Sequence, residues 1–175
     1  MENTEAYIYE IVLPFLLVAQ GVMGAIDTLL NHEFLEGLPQ RRGARGELRL
    51  HAMREAIYAA LFLGFAWFAW HGAFAPLLGV LLAAEAVVML SDELLENRLR
   101  VLPQNERALH VLLTVNFGAI AALLVPILME WWTRPTGVAP AHHGWASWAL
   151  SLLSIPAIAW AVRDGLAVRR LKPIN

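Results

Sequence analysis

The chain of 175 residues is 58% hydrophobic and 16% charged, and its mean hydropathy of +0.53 is high for a soluble domain. A lipid bilayer is therefore the expected solvent for much of its surface. The net charge of -2 excludes the strongly basic surface typical of nucleic-acid binding, so we expect no nucleic acid partner. The absence of cysteine excludes disulfides, thiolate ligands and cysteine nucleophiles, so any metal must be held through nitrogen and oxygen.

Five apolar segments follow one another along the chain, each near the roughly 20 residues that a helix needs to cross about 30 Å of hydrocarbon. They cover residues 8–30, 51–71, 73–95, 109–132 and 146–163. We predict an all-α integral membrane protein of one domain, residues 1–175, with five transmembrane helices. Residues 1–10 contain acids but no Lys or Arg, unlike the start of a cleaved secretory signal, so we expect the first segment to be retained.

Two connections between these segments carry turn-forming residues. Gly72 and the nearby Pro76 leave a very short link between the second and third segments, which predicts a tight helical hairpin. The fourth connection is predicted to be a longer polar loop, because it contains Pro135, Gly137, Pro140 and Gly144.

The basic residues concentrate on one side of the five predicted spans. That side holds Arg41, Arg42, Arg45, Arg49, Arg98, Arg100, Arg107, Arg169, Arg170 and Lys172. The positive-inside rule places it in the cytoplasm, so the N-terminus is predicted outside and the C-terminus inside, as in a multi-pass protein of a bacterial inner membrane. An aromatic belt at the outer interface is then formed by Trp67, Trp70, Trp131, Trp132, Trp145 and Trp148.

A set of polar residues, leucines and one proline occurs twice in the chain in the same order. The first copy contains Asp27, Leu29-Leu30, Leu38-Pro39-Gln40, Glu47 and Leu50-His51, and the second Asp92, Leu94-Leu95, Leu102-Pro103-Gln104, Glu106 and Leu109-His110. We interpret this as a parallel repeat of two helical hairpins, about 8–71 and 73–132, related by a pseudo-two-fold axis along the membrane normal, with an extra helix at about 146–163. Part of the match is compositional, since leucine is abundant throughout.

The polar residues share helix faces near the cytoplasmic ends of the helices. Glu47, His51 and Glu55 are spaced i, i+4, i+8 on the second helix, and Glu106 and His110 are spaced i, i+4 on the fourth. Each repeat thus supplies one Asp and one Glu-x-x-x-His. We predict a two-metal site whose ligands are Asp27, Glu47, His51, Glu55, Asp92, Glu96, Glu106 and His110.

The roles within this set are predicted from position. Glu55 and Glu96 are the candidates to bridge the two metals and, with Arg54, are the candidate catalytic residues, Arg54 neutralising an excess acid. The chemistry is analogous to that of ferritin-like di-iron proteins, although their Glu-His pair is spaced i, i+3. Iron is the favoured metal, with zinc and manganese as alternatives, because carboxylate and imidazole ligands suit all three.

Several of these residues also have a simpler interpretation. Acids at helix starts, such as Glu47 and Glu106, are favoured by the helix dipole without any metal. Asp92 and Glu96 have Arg98 or Arg100 as alternative partners, and the histidines can be ordinary interface residues. Glu55 and Glu85 lie deepest in the predicted membrane helices and are functional candidates by default, with a protonated or lipid-facing Glu85 as the alternative. We expect His32 and Glu33 to lie in a loop and His71, His142 and His143 to lie on the outer side.

The favoured function is a membrane-embedded metalloenzyme that acts on a lipophilic substrate from the bilayer, an oxidoreductase rather than a hydrolase. A redox partner or a homo-oligomer is compatible with it. The main alternative is a metal-ion or proton transporter with the same residues along its path. Haem binding by His51 and His110, and a purely structural role with the acids paired to loop arginines, are further alternatives.

Overall fold

The computed structural model describes residues 8–41 and 43–171, and the fold of this part is all-α with one short strand pair. Its long helices are α1 (Ile8–Leu35), α2 (Arg45–Trp67), α3 (Ala75–Leu99), α4 (Gln104–Trp132) and α5 (Trp145–Arg170). The expectation that the first segment is retained concerns residues 1–10, of which 1–7 lie outside the described part, as do Arg42 and Lys172 of the predicted cytoplasmic side.

Four of these helices are long and apolar enough to cross a membrane, namely those within Ile8–Leu35, Gly72–Leu99, Gln104–Trp132 and Trp145–Arg170. This agrees with the predicted membrane class. Helix α2 is not among them, because it carries charges both in its first turns and at Arg54 and Glu55. The fifth crossing and the orientation therefore stay predictions.

Helix α1 changes its hydrogen-bonding pattern along its length. It is α-helical over Leu13–Ile26 and π-helical over Asp27–Leu35. A π-helix bonds residue i to residue i+5, so Asp27 and His32 come together on one face, with His32 Nε2 3.3 Å from Asp27 Oδ2. The expectation that His32 and Glu33 lie in a loop was wrong, because the helix continues through both.

The helices differ in extent from the apolar segments. At the polar end, helices α3, α4 and α5 continue beyond the predicted apolar segments through turns that include polar residues. The candidate ligands therefore lie on helices and not in loops. The second helix is displaced from the predicted segment 51–71, because it begins at Arg45 and ends at Trp67. Phe68–His71 forms strand β1, antiparallel to strand β2 at Gly137–Pro140. We call the end of the bundle with these strands the strand end, and the other end the polar end.

The tight link predicted at Gly72 is present as a 3₁₀ turn, Gly72–Phe74. Gly72 has φ +56°, in the left-handed region that favours glycine. A Cβ on it would lie 2.5 Å from Thr136 Cα. The neighbouring Ala73 N–H donates to Thr136 Oγ1 at 3.0 Å, so the turn and the fourth connection fit together only with glycine at this position.

Gly72→Ala is expected to destabilise the protein by more than about 1 kcal/mol, because both the backbone angle and the space oppose a side chain. The measurement is unfolding by denaturing detergent, followed by the helical circular dichroism signal. Gly137→Ala is the matched control, since a Cβ on Gly137 meets nothing within 4 Å. Equal stability of the two variants would contradict this account of the turn.

The hydrophobic core fills the bundle on the side of the strand end. Its fully buried members include Leu13, Leu17, Phe65, Ile120 and Leu124. Helix α1 packs on α4 and α5, α2 packs on α3, and the most extensive pairing is that of α2 with α5. The fifth helix is thus an integral part of the bundle, and the buried polar residues lie beyond the core at the polar end.

Candidate metal centre

The polar end contains eight buried carboxylate and histidine residues contributed by helices α1 to α4. We call this set the polar cluster: Asp27, His32, Glu47, His51, Asp92, Glu96, Glu106 and His110, none more than 8% exposed. Burying ionisable groups is costly unless they are paired or bind a cation. Seven of the eight predicted ligands are members, and Glu55 is not.

Each aspartate of the cluster pairs with a histidine of the other predicted hairpin. Asp27 Oδ2 lies 3.2 Å from His110 Nε2, and Asp92 Oδ2 lies 3.2 Å from His51 Nε2. Grouping Asp27 with His51 and Asp92 with His110, as the repeat suggests from sequence, is therefore not the arrangement found. The reason is helix packing, since α1 contacts α4 and α2 contacts α3.

Glu96 lies between the two histidines. Its Oε1 is 3.9 Å from His51 Nε2 and its Oε2 is 3.5 Å from His110 Nδ1, and the residue is fully buried. A carboxylate with its two oxygens directed at different histidines has the placement that a bridging ligand needs.

Three groups of side chains bring their donor atoms within 4.8 Å of one another, close enough to share a metal ion. They are Asp27, His32, Glu106 and His110; His32, Glu47, His51 and Glu96; and Glu93, Glu96 and His110. Six predicted ligands belong to these groups, whereas Asp92 and Glu55 do not. His32 and Glu93 are additions, and the helix geometry that places His32 here had no signal in the sequence pattern.

Arg100 lies among the carboxylates of the cluster. Its guanidinium donates to Glu106 at 2.5 and 2.8 Å and lies 3.3 Å from Glu96 and 3.4 Å from Glu47. Burial disfavours the charge on Arg100, but the hydrogen bonds to Glu106 and the nearby carboxylates outweigh this cost and raise its pKa above the ordinary value. The sequence alternative that Glu96 pairs with Arg100 thus describes an observed contact.

Arg54 forms the other cationic contact of the cluster. Its Nε lies 3.2 Å from Glu85 Oε1, and its Nη1 lies 3.5 Å from Asp92 Oδ2. It therefore joins the fully buried Glu85 to the cluster. This agrees with the predicted role of Arg54 in neutralising an excess acid, while its catalytic role stays a prediction.

Negative charge exceeds positive charge in the cluster when its histidines are neutral. Two guanidinium groups, those of Arg54 and Arg100, face five buried carboxylates of the cluster, and Glu85 shares Arg54 with them. At least three negative charges of the cluster are therefore not balanced by a guanidinium charge among the described residues. The carboxylates are Asp27, Glu47, Asp92, Glu96 and Glu106. Among the described residues, the buried atoms Asp92 Oδ1, Glu96 Oε2 and His32 Nδ1 make no hydrogen bond.

A cavity of about 210 Å³ lies beside the cluster, between α1, α2 and α5. One part is lined by Asp27, His32, His51, Arg54 and Glu55, and the rest mostly by apolar side chains and glycines. Glu55 thus faces this cavity, and its Oε2 is buried without a hydrogen-bond partner in the described part of the chain. The structure places it apart from the bridging position predicted for it.

A second polar layer continues from Arg54 toward the middle of the bundle. Gln20 Nε2 donates to the Tyr58 hydroxyl at 2.8 Å, and Asn116 Nδ2 donates to Gln20 Oε1 at 2.7 Å. Sequence reasoning missed Gln20 and Asn116, although isolated amides in apolar segments are a usable signal. It also missed Asp164 of α5, which is 1% exposed and pairs with Arg163.

The remaining histidines lie at the strand end, away from the cluster. His71 packs on Trp131, His142 on Trp67, and His143 on Tyr9. Burial lowers the pKa of His143 below its ordinary value. Their separation from the polar cluster agrees with the sequence expectation.

Comparisons of this chain with known protein families, with curated proteins and with solved structures gave no match. The class of this protein is therefore described from its fold and its candidate site alone. It is an all-α protein with four helices able to cross a membrane and a buried carboxylate and histidine cluster, at one end of the bundle, that could bind metal.

Proposed function

We propose that this protein is a membrane-embedded metalloenzyme with a dinuclear carboxylate and histidine centre near the cytoplasmic face. Its substrate is lipophilic, and its reaction is an oxidation or reduction rather than a hydrolysis. Iron is the favoured metal, and zinc or manganese are the alternatives, because the donor set consists of nitrogen and oxygen only. Oxidation of the substrate needs an electron acceptor and reduction needs an electron donor, so the proposal includes a redox partner. It is compatible with a homo-oligomer.

The observation that carries this proposal is the uncompensated negative charge of the polar cluster. When the histidines are neutral, at least three negative charges of the cluster are not balanced by a guanidinium charge among the described residues, and the buried atoms Glu96 Oε2, Asp92 Oδ1 and His32 Nδ1 make no hydrogen bond there. In a low-dielectric interior such groups are stabilised by a bound cation or by a proton. Two divalent ions supply enough charge, and the donor groups within 4.8 Å provide places for them.

The ligands divide into two equivalent sets. One ion would be held by Asp27, Glu106 and His110, and the other by Glu47 and His51. We add Asp92 to the second set because it lies 3.2 Å from His51, although it is outside the groups whose donor atoms lie within 4.8 Å. Each set combines the aspartate of one hairpin with the Glu-x-x-x-His of the other. Glu96 lies between them as the bridging ligand, and His32 is an additional ligand. The equal distances of the two Asp-His pairs support the proposed repeat and its pseudo-two-fold axis.

Glu55 and Arg54 act beside the metals. Glu55 lines the cavity, so we assign it proton transfer at the substrate in place of the bridging role. Arg54 holds Asp92 and Glu85 in position through its two contacts. The metals, when bound, would supply the redox chemistry, while these side chains orient the substrate and handle its proton.

A transporter is the second candidate, and the second polar layer is the observation in its favour. That layer extends the cluster through Glu85 to Gln20 and Asn116. Beyond it the space between the helices is filled by core residues such as Leu17 and Leu124, each 1% exposed or less. A continuous apolar core opposes ion passage, so the enzyme is favoured.

The proposed topology has five spans, with the N-terminus outside and the C-terminus inside a bacterial inner membrane. Because the chain has no cysteine, single cysteines report sidedness without background. In intact spheroplasts, a membrane-impermeant maleimide is expected to label Arg134→Cys and not Arg98→Cys, both exposed positions. Labelling of Arg98→Cys alone would reverse the orientation.

The dinuclear centre is tested by loading chelator-treated protein anaerobically with ⁵⁷Fe(II). We expect two irons per chain and, after exposure to oxygen, a Mössbauer spectrum of two magnetically coupled ferric ions. Uptake of a single iron, or of none, contradicts a dinuclear iron centre. Uptake of metal into sealed proteoliposomes, without such a spectrum, would instead support transport.

A further inference from the structure

The cavity beside the polar cluster has a wall that belongs to no proposed metal ligand. Helix α5 forms this wall with Leu153, Pro156 and Ala157, and helix α1 forms the opposite side with Gly21 and Gly24. The extensive packing of α5 against α2 keeps that wall in place. Helix α5, which lies outside the predicted repeat, therefore supplies an apolar wall to the cavity beside the polar cluster.

The cavity reaches the apolar outer surface of the bundle. Leu29 lines it and is 42% exposed, and the neighbouring surface of α1 carries the exposed Val22 and Ile26. On α5 the exposed residues next to the lining are Leu152 and Ile155. In a membrane these side chains contact acyl chains, so a lipid-soluble molecule reaches the cavity without passing through water.

The charged side chains at the inner part of the cavity determine which polar head group a bound lipid can carry. Asp27 and Glu55 are carboxylates, whereas the guanidinium of Arg54 is already engaged by Glu85 and Asp92. An anionic head would meet excess negative charge there. A neutral head with a hydroxyl group would instead donate a hydrogen bond to Glu55 Oε2, which has no hydrogen-bond partner among the described residues.

We propose that this cavity binds the chain of a neutral lipid that bears a hydroxyl head and enters sideways from the bilayer between α1 and α5. The head lies toward Glu55, and the chain lies beside Gly24 of α1, where the space is open, and against Pro156 and Ala157 of α5. This inference rests on the proposed function in that the bound lipid is the substrate of the metal centre.

Gly24 offers a way to fill the cavity without disturbing the bundle. It lines the cavity, and a Cβ on it meets nothing within 4 Å, whereas a Cβ on Gly21 would lie 2.8 Å from Leu153 Cδ1. A leucine at position 24 thus occupies the space of the lipid chain. Gly118→Leu is the matched control, because Gly118 is exposed within α4 and is equally free of neighbours.

The experiment uses the purified full chain in detergent and a hexadecanol that carries a diazirine in its chain. After illumination, we expect mass spectrometry to find the probe on residues of α1 and α5 that line the cavity. Excess hexadecanol competes and hexadecanoate does not. Gly24→Leu reduces the labelling at least about tenfold, while Gly118→Leu leaves it unchanged. Glu55→Gln, which removes a negative charge, allows hexadecanoate to compete.

Labelling spread over all lipid-facing helices and insensitive to Gly24→Leu overturns the inference, as does equal competition by hexadecanoate in the wild type. Metal content is measured on the same samples. Two metals without site-specific labelling overturn this inference and leave the metal centre standing. Site-specific labelling without metal supports the lipid cavity and contradicts the proposed metalloenzyme.

Discussion

Glu96→Gln is expected to weaken metal binding by at least about 100-fold and to remove the coupling between the two ions. The substitution keeps the shape of the side chain but removes its charge. Glu96 is fully buried and has its two oxygens directed at His51 and His110, so water does not replace the lost carboxylate. The measurement is metal stoichiometry and affinity in competition with a chelator of known strength.

Glu93→Gln is the matched control on the same helix. Glu93 lies 3.1 Å from His110 Nδ1, but its side chain is 42% exposed, so water can take its place and a smaller loss is expected. If the two variants bind metal equally well, Glu96 does not bridge the centre. Retention of full affinity by Glu96→Gln would contradict the assignment outright.

Arg100→Met is expected to destabilise the metal-free protein by about 3–5 kcal/mol, because it leaves buried carboxylates without their cation. The side chain of Arg100 is 7% exposed and contacts Glu47, Glu96 and Glu106. In metal-loaded protein the cost is smaller, since the metals compensate the same charges. Unfolding by denaturing detergent, with and without chelator, measures both values.

Arg134→Met provides the control for loss of an ion pair. Arg134 pairs with Glu130 at the strand end, where the two side chains are 45% and 51% exposed, so its removal costs at most about 1 kcal/mol. If the effect of Arg100→Met is the same with and without metal, then Arg100 and the metals do not neutralise the same carboxylates, and the charge argument for the centre is wrong.

The sequence predicted the features that depend on length, hydropathy and helical spacing. Apolar runs located the helices, and the i, i+4 spacing placed Glu47 with His51 and Glu106 with His110 on single helix faces. The expectation that acids and histidines from several helices meet was also confirmed for the polar cluster, whose members on α1 to α4 are buried together, whereas Glu55 lies apart from them.

Other features depend on tertiary structure and had no local signal. The π-helical turn that brings His32 to Asp27 depends on a change of hydrogen-bonding pattern, and the pairing of Phe68–His71 with Gly137–Pro140 joins segments far apart in sequence. Each aspartate pairs with the histidine of the other hairpin because of the way the helices pack. The helical periodicity of the sequence does not determine that packing. The separation of Glu55 from the ligands follows from the cavity beside α5.

The central claim is that the polar cluster binds two metal ions through both halves of the bundle. Its most direct test is elemental analysis, with an absorption spectrum, of protein purified without chelator, comparing the wild type with His51→Ala and His110→Ala. The account predicts two metals per wild-type chain and loss of metal in both variants. A wild type without bound metal, or variants that keep the full complement, would contradict it, and a Soret band would show haem in place of the dinuclear centre.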